Sequence, residues 1–523
     1  MSKDVDASVG QPHNPAGIVD ISVEAEPVTA FVGPLPRGPV DHAVAISSIE
    51  EFEKRFGVPD YHCHMGFAIR RFFANGGRHA VVVRVSACRE RNRIVMHGPA
   101  GDLVLEARNP GPLEFLRASV DCDSIPADET RCFNIVIQRL RSKDSAWIDE
   151  QEYFRAVSTD PNSRDYIGKV LAQSELVRLH GSAPEERPEL TIRPGSVKES
   201  GYVSAVAPRL SSPAPSDYDL VGSRESGTGL NALDPVSDLA HVCLISGTPD
   251  AAIGPVALLA ADNFCRRHQA LLIIDPPARW QSVDAAVNDQ RRSDFASPNT
   301  VTWYPCARIK NAAGEYVMTS ATGTVAAALT EVERTRGMDR LHDEPMTMPR
   351  GGLRPEASVD SEDSLRLVRA GINSLVQRSA LHLQLRGNVT EARHASVAGG
   401  FDELEMRARV LFVARRIRRG TRWTVVLDAG PRVWLELQRQ LQTFLSSLHA
   451  RGLLAGNGGA ESWYFKPEQP ASAAADPASL LGFVVGLALS EPGEYFGLRF
   501  QHSPDGCTVT ELGWQAEQAR ASL

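Results

Sequence analysis

At 523 residues the chain exceeds what one hydrophobic core ordinarily organises, so several domains are expected. Its 42% hydrophobic and 23% charged residues exclude a disordered, collagen-like or membrane class. A formal charge of -8 gives no overall attraction to nucleic acid, and no apolar stretch approaches bilayer length, so neither direct nucleic-acid binding nor membrane insertion is expected.

The N-terminus has no basic start followed by an apolar run, which predicts a soluble protein made in the cytoplasm. After a polar arm, Gly17, Ile18, Val19, Asp20, Ile21, Ser22 and Val23 alternate like a strand, and Thr29 to Gly33 reads as a second one. Ile49 to Phe56 has helical spacing, with Ser48 as N-cap and Glu51 completing a capping box. A second helix, Met65 to Phe73, stops at Asn75-Gly76-Gly77. Ala80 to Val85 then reads as a buried strand.

From about 98 to 180 the pattern turns to strands between Pro and Gly turns: Asp102 to Ala107, Leu116 to Val120 and Cys132 to Leu140. A Pro/Ser-rich linker, Ala207 to Asp217, follows. Between 218 and 400 strands and helices alternate, among them His241 to Ile245, the helical Ala257 to His268, and Ala270 to Asp275. Continuous apolar strands of this kind imply a parallel sheet covered on both faces. The last part predicts a helix Phe401 to Arg419, a strand Trp423 to Leu427, a helix Pro431 to Ala450, and strands near Phe483 to Leu489 and Tyr495 to Phe500.

Motifs for chemistry are weak. Gly222 to Gly229 is glycine-rich but lacks the Gly-Lys-Ser/Thr ending that a phosphate loop needs. His62, Cys63 and His64 are adjacent, so their side chains diverge, and no matching second pair lies nearby to complete a metal site. The eight cysteines form no CxxC pair; they read as isolated thiols, the alternative being cross-links between subunits after release from a reducing cytosol. No catalytic residue, cofactor or metal is expected. The basic run Arg415, Arg416, Arg418, Arg419 and Arg422 is the strongest charge anomaly, readable either as a solvated helix face or as a docking surface for an acidic partner. It leads into the helix from Pro431, where Trp434, Leu437, Leu441, Phe444, Leu445 and Leu448 form an apolar stripe, leaving Arg432, Glu436, Arg439 and Gln440 off it.

One resemblance covers nearly the whole chain. Thr29-Ala-Phe-Val-Gly-Pro-Leu-Pro-Arg-Gly-Pro-Val40, Ile46 to Gly57, Ala68 to Gly77 and Val81 to Val85 occur in this order in contractile tail sheath proteins. Ala107 to Gly111, Ser158 to Asn162, Thr319 to Gly323, Gly371-Ile-Asn373 and Pro492 to Phe496 are similar to later landmarks of that family. The chain departs from it at Gly222 to Gly227, which carries Arg and Glu, and at Leu385-Arg-Gly387, a faint echo of a Trp-Gly-x-Arg-Thr motif.

The resemblance implies a multi-domain, mixed α/β protein: a three-layer α/β core, an inserted β-rich domain and extended terminal arms. The corresponding boundaries are an arm at 1–23, core segments at 24–97 and 218–400, the insertion at 98–206, a C-terminal α/β domain at 401–507 and a second arm at 508–523. It implies a structural role, with subunits stacked as hexameric rings around a tail tube and contracting, and no enzymatic activity. An α/β hydrolase and a cytosolic scaffold are the alternatives. Expected partners are further copies of itself, a tail tube protein, and baseplate and tail terminator proteins, with assembly in the host cytoplasm into a virion tail or injection particle. Both ends are expected to exchange strands with neighbours, through Gly17 to Val23 and through Thr508, Val509, Thr510, Glu511 and Leu512. Arg415, Arg416, Arg418, Arg419, Arg432, Glu436, Arg439 and Gln440 are expected to face the tube.

Overall fold

The computed structural model describes residues 21–22, 26–58, 63–111, 113–126, 128–143, 145–191, 201–206, 214–247, 252–311, 313–336, 345–395, 401–426, 431–468, 481–503 and 506–515. Its centre is a nine-stranded sheet in the spatial order Met346–Pro349, His382–Arg386, Asn373–Gln377, Thr300–Tyr304, Leu271–Ile274, Leu239–Leu244, Val28–Pro34, Ala80–Val85, Ala43–Ile46. The inner strands pair in parallel, whereas antiparallel pairs close both margins.

Alternation along these strands divides the interior in two. Phe31, Val82, Cys243 and Ile273 face one apolar cluster, while Ala30, Val32, Val83, Val242 and Leu272 face the other. Helices cover both faces, as inner strands apolar on both sides require. On the second face lies Pro255–His268, whose Ala257, Ala261, Phe264 and Cys265 are buried. On the first lie Ile49–Phe56, His64–Ala74, Thr322–Arg336 and Leu404–Gly420. Ser48 caps the first of these by accepting from the Glu51 amide at 3.2 Å. The expected box is displaced by one residue, because Glu51 Oε2 accepts from the Ser47 amide at 3.0 Å instead.

Between the Ala80–Val85 and Leu239–Leu244 strands the chain builds two smaller sheets over one shared core. One is Arg93–Met96, Leu103–Ala107 and Val177–Leu179; the other is Val203–Ser204, Leu116–Asp121, Cys132–Leu140 and Ile148–Ser158. Buried guanidinium groups fasten this inserted β domain to the centre. Arg37 donates to the Leu140 carbonyl at 3.3 Å and to Asp149 at 2.8 Å, and Arg84 donates to the carbonyls of Leu35 and Pro110, each at 2.7 Å. Burial pushes Arg84 down to about 10, with Glu114 opposing the shift.

The C-terminal part adds a four-stranded antiparallel sheet, Trp463–Glu468, Leu481–Ala488, Tyr495–Ser503 and Gly506–Gln515. Phe483, Val485, Leu498 and Phe500 join Leu437, Leu441, Phe444 and Leu448 of the Pro431–Ala450 helix in the same cluster that fills the first face of the central sheet. Two expectations change. Residues Arg422–Val426 form a 3-10 turn rather than a strand, because Thr421 and Thr424 hydroxyls bond back to the carbonyls of Ile417 and Thr421 at 2.7 Å. Thr508 to Leu512 complete this sheet within their own chain, Val509 opposite Phe500 and Thr510 opposite Arg499. Trp514 secures that strand by meeting Phe496 edge-on at 5.6 Å and stacking against Phe401 at 6.1 Å between ring centroids.

Helix Thr322–Arg336 approaches helix His64–Ala74 at Gly323, where an added Cβ would lie 1.8 Å from the Ala68 carbonyl oxygen. Backbone on the receiving side cannot yield as a side-chain tip would. Gly323→Ala is therefore expected to lower stability by about 1–3 kcal/mol, read as a reduced urea midpoint with an unchanged m-value.

Candidate assembly surfaces

The basic segment of helix Leu404–Gly420 is buried at Arg415 and Arg416 and only part-exposed at Arg418 and Arg419. Arg415 and Arg416 are 6% and 3% exposed, and both donate to Glu333, from Arg415 Nη2 to Oε2 at 2.7 Å and from Arg416 Nη2 to Oε1 at 3.3 Å. Arg415 Nη1 also reaches the Gln269 carbonyl at 2.7 Å; Arg419 pairs with Asp238, and Arg418 Nη1 reaches the Arg267 carbonyl at 3.0 Å. Within this chain Arg415 and Arg416 are thus partners of buried acids, and the reading of the whole run as a docking face is corrected. Helical spacing alone could not separate the two possibilities, since Glu333 lies on a different helix.

This cluster has a defined electrostatic sense. Burial by itself would raise Glu333, but Arg415 and Arg416 outweigh it and hold the carboxyl below its ordinary value. Beside it His241 sits 3.4 Å from the hydroxyls of both Thr29 and Thr330. Burial pushes its imidazole down to about 4, against the upward pull of Glu333 and with a further downward push from Arg415.

Helix Pro431–Ala450 behaves differently along its length. Leu437, Leu441, Phe444, Leu445 and Leu448 are buried, as the stripe predicts. Arg432 and Arg439 are exposed, and Arg439 grips Glu436 through two bonds of 3.0 and 2.6 Å. That bond holds Glu436 below the usual carboxylate range. Gln440 turns inward, 3% exposed, and accepts from Trp423 Nε1 at 3.2 Å, so it leaves the candidate face. Leu435 joins it instead at 68% exposure; the signal was its position outside the stripe.

Of the N-terminal segment, Gly17 to Asp20 and Val23 lie outside the described residues. Ile21 is buried, against Gly420 at the end of the long helix. At the other end, the strand Gly506–Gln515 forms one margin of the C-terminal sheet, with Thr508, Thr510 and Glu511 exposed. Glu511 accepts from the buried Arg407 at 2.6 Å, and Arg407 Nε reaches Asn299 Oδ1 at 2.6 Å. The opposite margin, Trp463–Glu468, contains Pro467, which has no N–H to offer an added strand.

The glycine-rich segment is a close-packed turn. A Cβ on Gly222 would lie 2.1 Å from the Thr228 carbonyl oxygen, and the Gly229 amide is taken by Asp41 Oδ1 at 3.1 Å. His62 lies outside the described residues, while His64 is buried in its helix. All eight cysteines are free thiols within the chain. No described helix is long and apolar enough to cross a membrane.

Comparison with solved structures places this architecture. A sheath tail protein from Listeria innocua aligns over 92% of this chain and 96% of its own, with a TM-score of 0.60 and 11% identity. The chain has the contractile-sheath fold. A sheath tail protein from Desulfitobacterium hafniense covers 98% of this chain and all of its own, at a TM-score of 0.53 and 10% identity. The PVC sheath of an extracellular contractile injection system, in its contracted state, covers 94% and 96% at a TM-score of 0.51 and 13% identity. No family model and no curated protein matches the sequence. The sheath fold is thus present from the central sheet to the C-terminal sheet, inserted domain included.

Glu333→Gln leaves two buried guanidinium groups facing a neutral amide and is expected to cost about 3–5 kcal/mol by chemical denaturation. His241 has a folded pKa below the unfolded one, so its contribution is complete above about pH 6.5 and is lost as pH falls towards 4. His241→Asn is accordingly expected to show a smaller drop in melting temperature than the wild type between about pH 6.5 and 4.5.

Proposed function

We propose that this chain is the subunit of a contractile sheath: it polymerises with copies of itself around a tail tube, in stacked hexameric rings, and works mechanically rather than as an enzyme. The observation that carries this reading is an end-to-end likeness to sheath proteins, reaching 92% to 98% of the chain in the two sheath tail proteins. Baseplate and terminator proteins would meet the ends of such a stack, in a virion tail or in an injection particle.

In this reading Gly17 to Val23 of one copy adds to a sheet margin of a neighbour. Such β-augmentation supplies main-chain bonds that tolerate rotation of the bodies they join. The Gly506–Gln515 margin suits an added strand better than Trp463–Glu468, because no proline interrupts it. Thr508 to Leu512 act as the acceptor strand rather than as a free arm. The tube-facing surface narrows to Arg432, Leu435, Glu436 and Arg439. A contact that forms in assembly and breaks in firing is served by exposed ion pairs worth up to about 1 kcal/mol each, many of which can release together.

Deleting residues 2–22 is expected to leave soluble subunits that no longer polymerise, and normal polymers from that protein would refute the strand-addition role. Arg432→Glu with Arg439→Glu is expected to weaken assembly on tubes at low salt while leaving the melting temperature within a degree or two of wild type. Unchanged assembly would remove this helix from the tube contact.

A further inference from the structure

The inserted β domain carries charge that its own fold does not use. On the outer face of its three-stranded sheet, Glu106 stands directly opposite Arg93 on one neighbouring strand and Arg178 on the other. Its Oε1 lies 3.3 Å from Arg93 Nη2 and 3.5 Å from His180 Nδ1, and its Oε2 lies 2.6 Å from Arg178 Nη2. One carboxylate, 6% exposed, thus serves two arginines that are each about half exposed. Arg91 and Arg108 add to the same face. Arg91 donates to the carbonyls of Ala107 and Arg108, and among the described residues neither guanidinium meets a carboxylate. Burial lowers Arg91, and proximity to Arg178, Arg108 and Arg89 lowers it further, with Glu106 opposing.

This face lies at the core end of the domain, since the neighbouring Asn92 donates to the Glu114 carbonyl at 2.7 Å and Glu114 accepts from the Gly38 amide. The far end has the opposite sign. There the loop with Glu185 and Glu186 meets the hairpin holding Asp123, Asp128 and Glu129, and all five acids are exposed. Arg187 joins loop to hairpin but points inward, onto the carbonyls of Glu129 and Cys132. The nine-residue strand Cys132–Leu140 runs from this tip to the base. At about 3.3 Å per residue that is roughly 25–30 Å, well beyond the Debye length of about 8 Å at physiological salt. The two ends therefore cannot neutralise each other within one chain.

We propose that adjacent copies bind head to tail through this domain, the acidic tip of one copy (Glu185, Glu186, Asp123, Asp128) seating on the arginine face (Arg91, Arg93, Arg108, Arg178) of the next. The occupant is a second copy of this chain because both complementary surfaces are present on every subunit, as an open array with unlike contacting surfaces requires. The contact rests on the sheath reading and adds to it a second, charge-based link, separate from strand addition.

The test uses polymerisation of the full chain at low salt. A tip variant (Glu185→Lys with Glu186→Lys) and a base variant (Arg108→Glu with Arg178→Gln) are each expected to raise the concentration needed for assembly about fivefold to tenfold. The difference should vanish near 1 M salt, where the Debye length is about 3 Å. Combining all four substitutions sets two new lysines against one new glutamate and removes a facing arginine, and should recover part of the loss. Arg108→Glu alone, at an exposed side chain, provides the base variant should the pair unfold. Wild-type thresholds for folded single-end variants, or no recovery in the combined protein, would overturn the contact while leaving the sheath reading intact. Absence of any wild-type polymer would overturn both.

Discussion

Helix Leu404–Gly420 is enclosed between the central sheet and the C-terminal sheet, yet it carries six arginines at 407, 409, 415, 416, 418 and 419. Enclosing charge on this scale demands a matched acceptor for each group, because a guanidinium buried without one costs several kcal/mol. The fold supplies them, mostly from distant segments: Glu511 and Asn299 for Arg407, Glu333 for Arg415 and Arg416, the Arg267 carbonyl for Arg418 and Asp238 for Arg419, with Glu405 one helical turn away serving Arg409. The helix thereby ties three regions together in one arrangement. Apolar packing alone would permit it to slide or rotate, whereas the paired charges admit a single register.

The same logic governs the attachment of the inserted domain. Arg37 and Arg84, each 1% exposed, donate mostly to backbone carbonyls on both sides of the junction. Carbonyl acceptors fix position without neutralising charge, so the junction also depends on Asp149 and Glu114 close by. Insertion and centre are consequently joined by directional bonds. Any charge on the outer surface of the insertion is presented at a fixed place relative to the central sheet.

What could be read from the sequence follows from how local each feature is. Ile49–Phe56, the helix from Pro431, and the strands around Val82 and Ile273 were legible because periodicity and capping lie within a few residues of one another. Arg415 and Arg416 were not, since Glu333 is 82 residues from Arg415 and nothing nearby marks the run as interior. Thr508 to Leu512 looked like a loose arm because the strand is polar on one side; its anchor, Trp514, packs against Phe496 and also against Phe401, more than 100 positions away. Trp423 to Leu427 has β-branched residues that favour a strand, but local hydroxyl bonds and the Trp423 bond to Gln440 fix a turn. On the candidate tube face, Arg432 and Arg439 emerged from the helical pattern, whereas the inward turn of Gln440 depended on that same tryptophan.

The central claim is that this body is built to polymerise. Negative-stain electron microscopy of the purified full chain, concentrated stepwise at low and moderate salt, tests it most directly. The account predicts hollow tubes with a regular axial ring repeat. Dispersed single subunits at every concentration, with no tubes or rings, would contradict it.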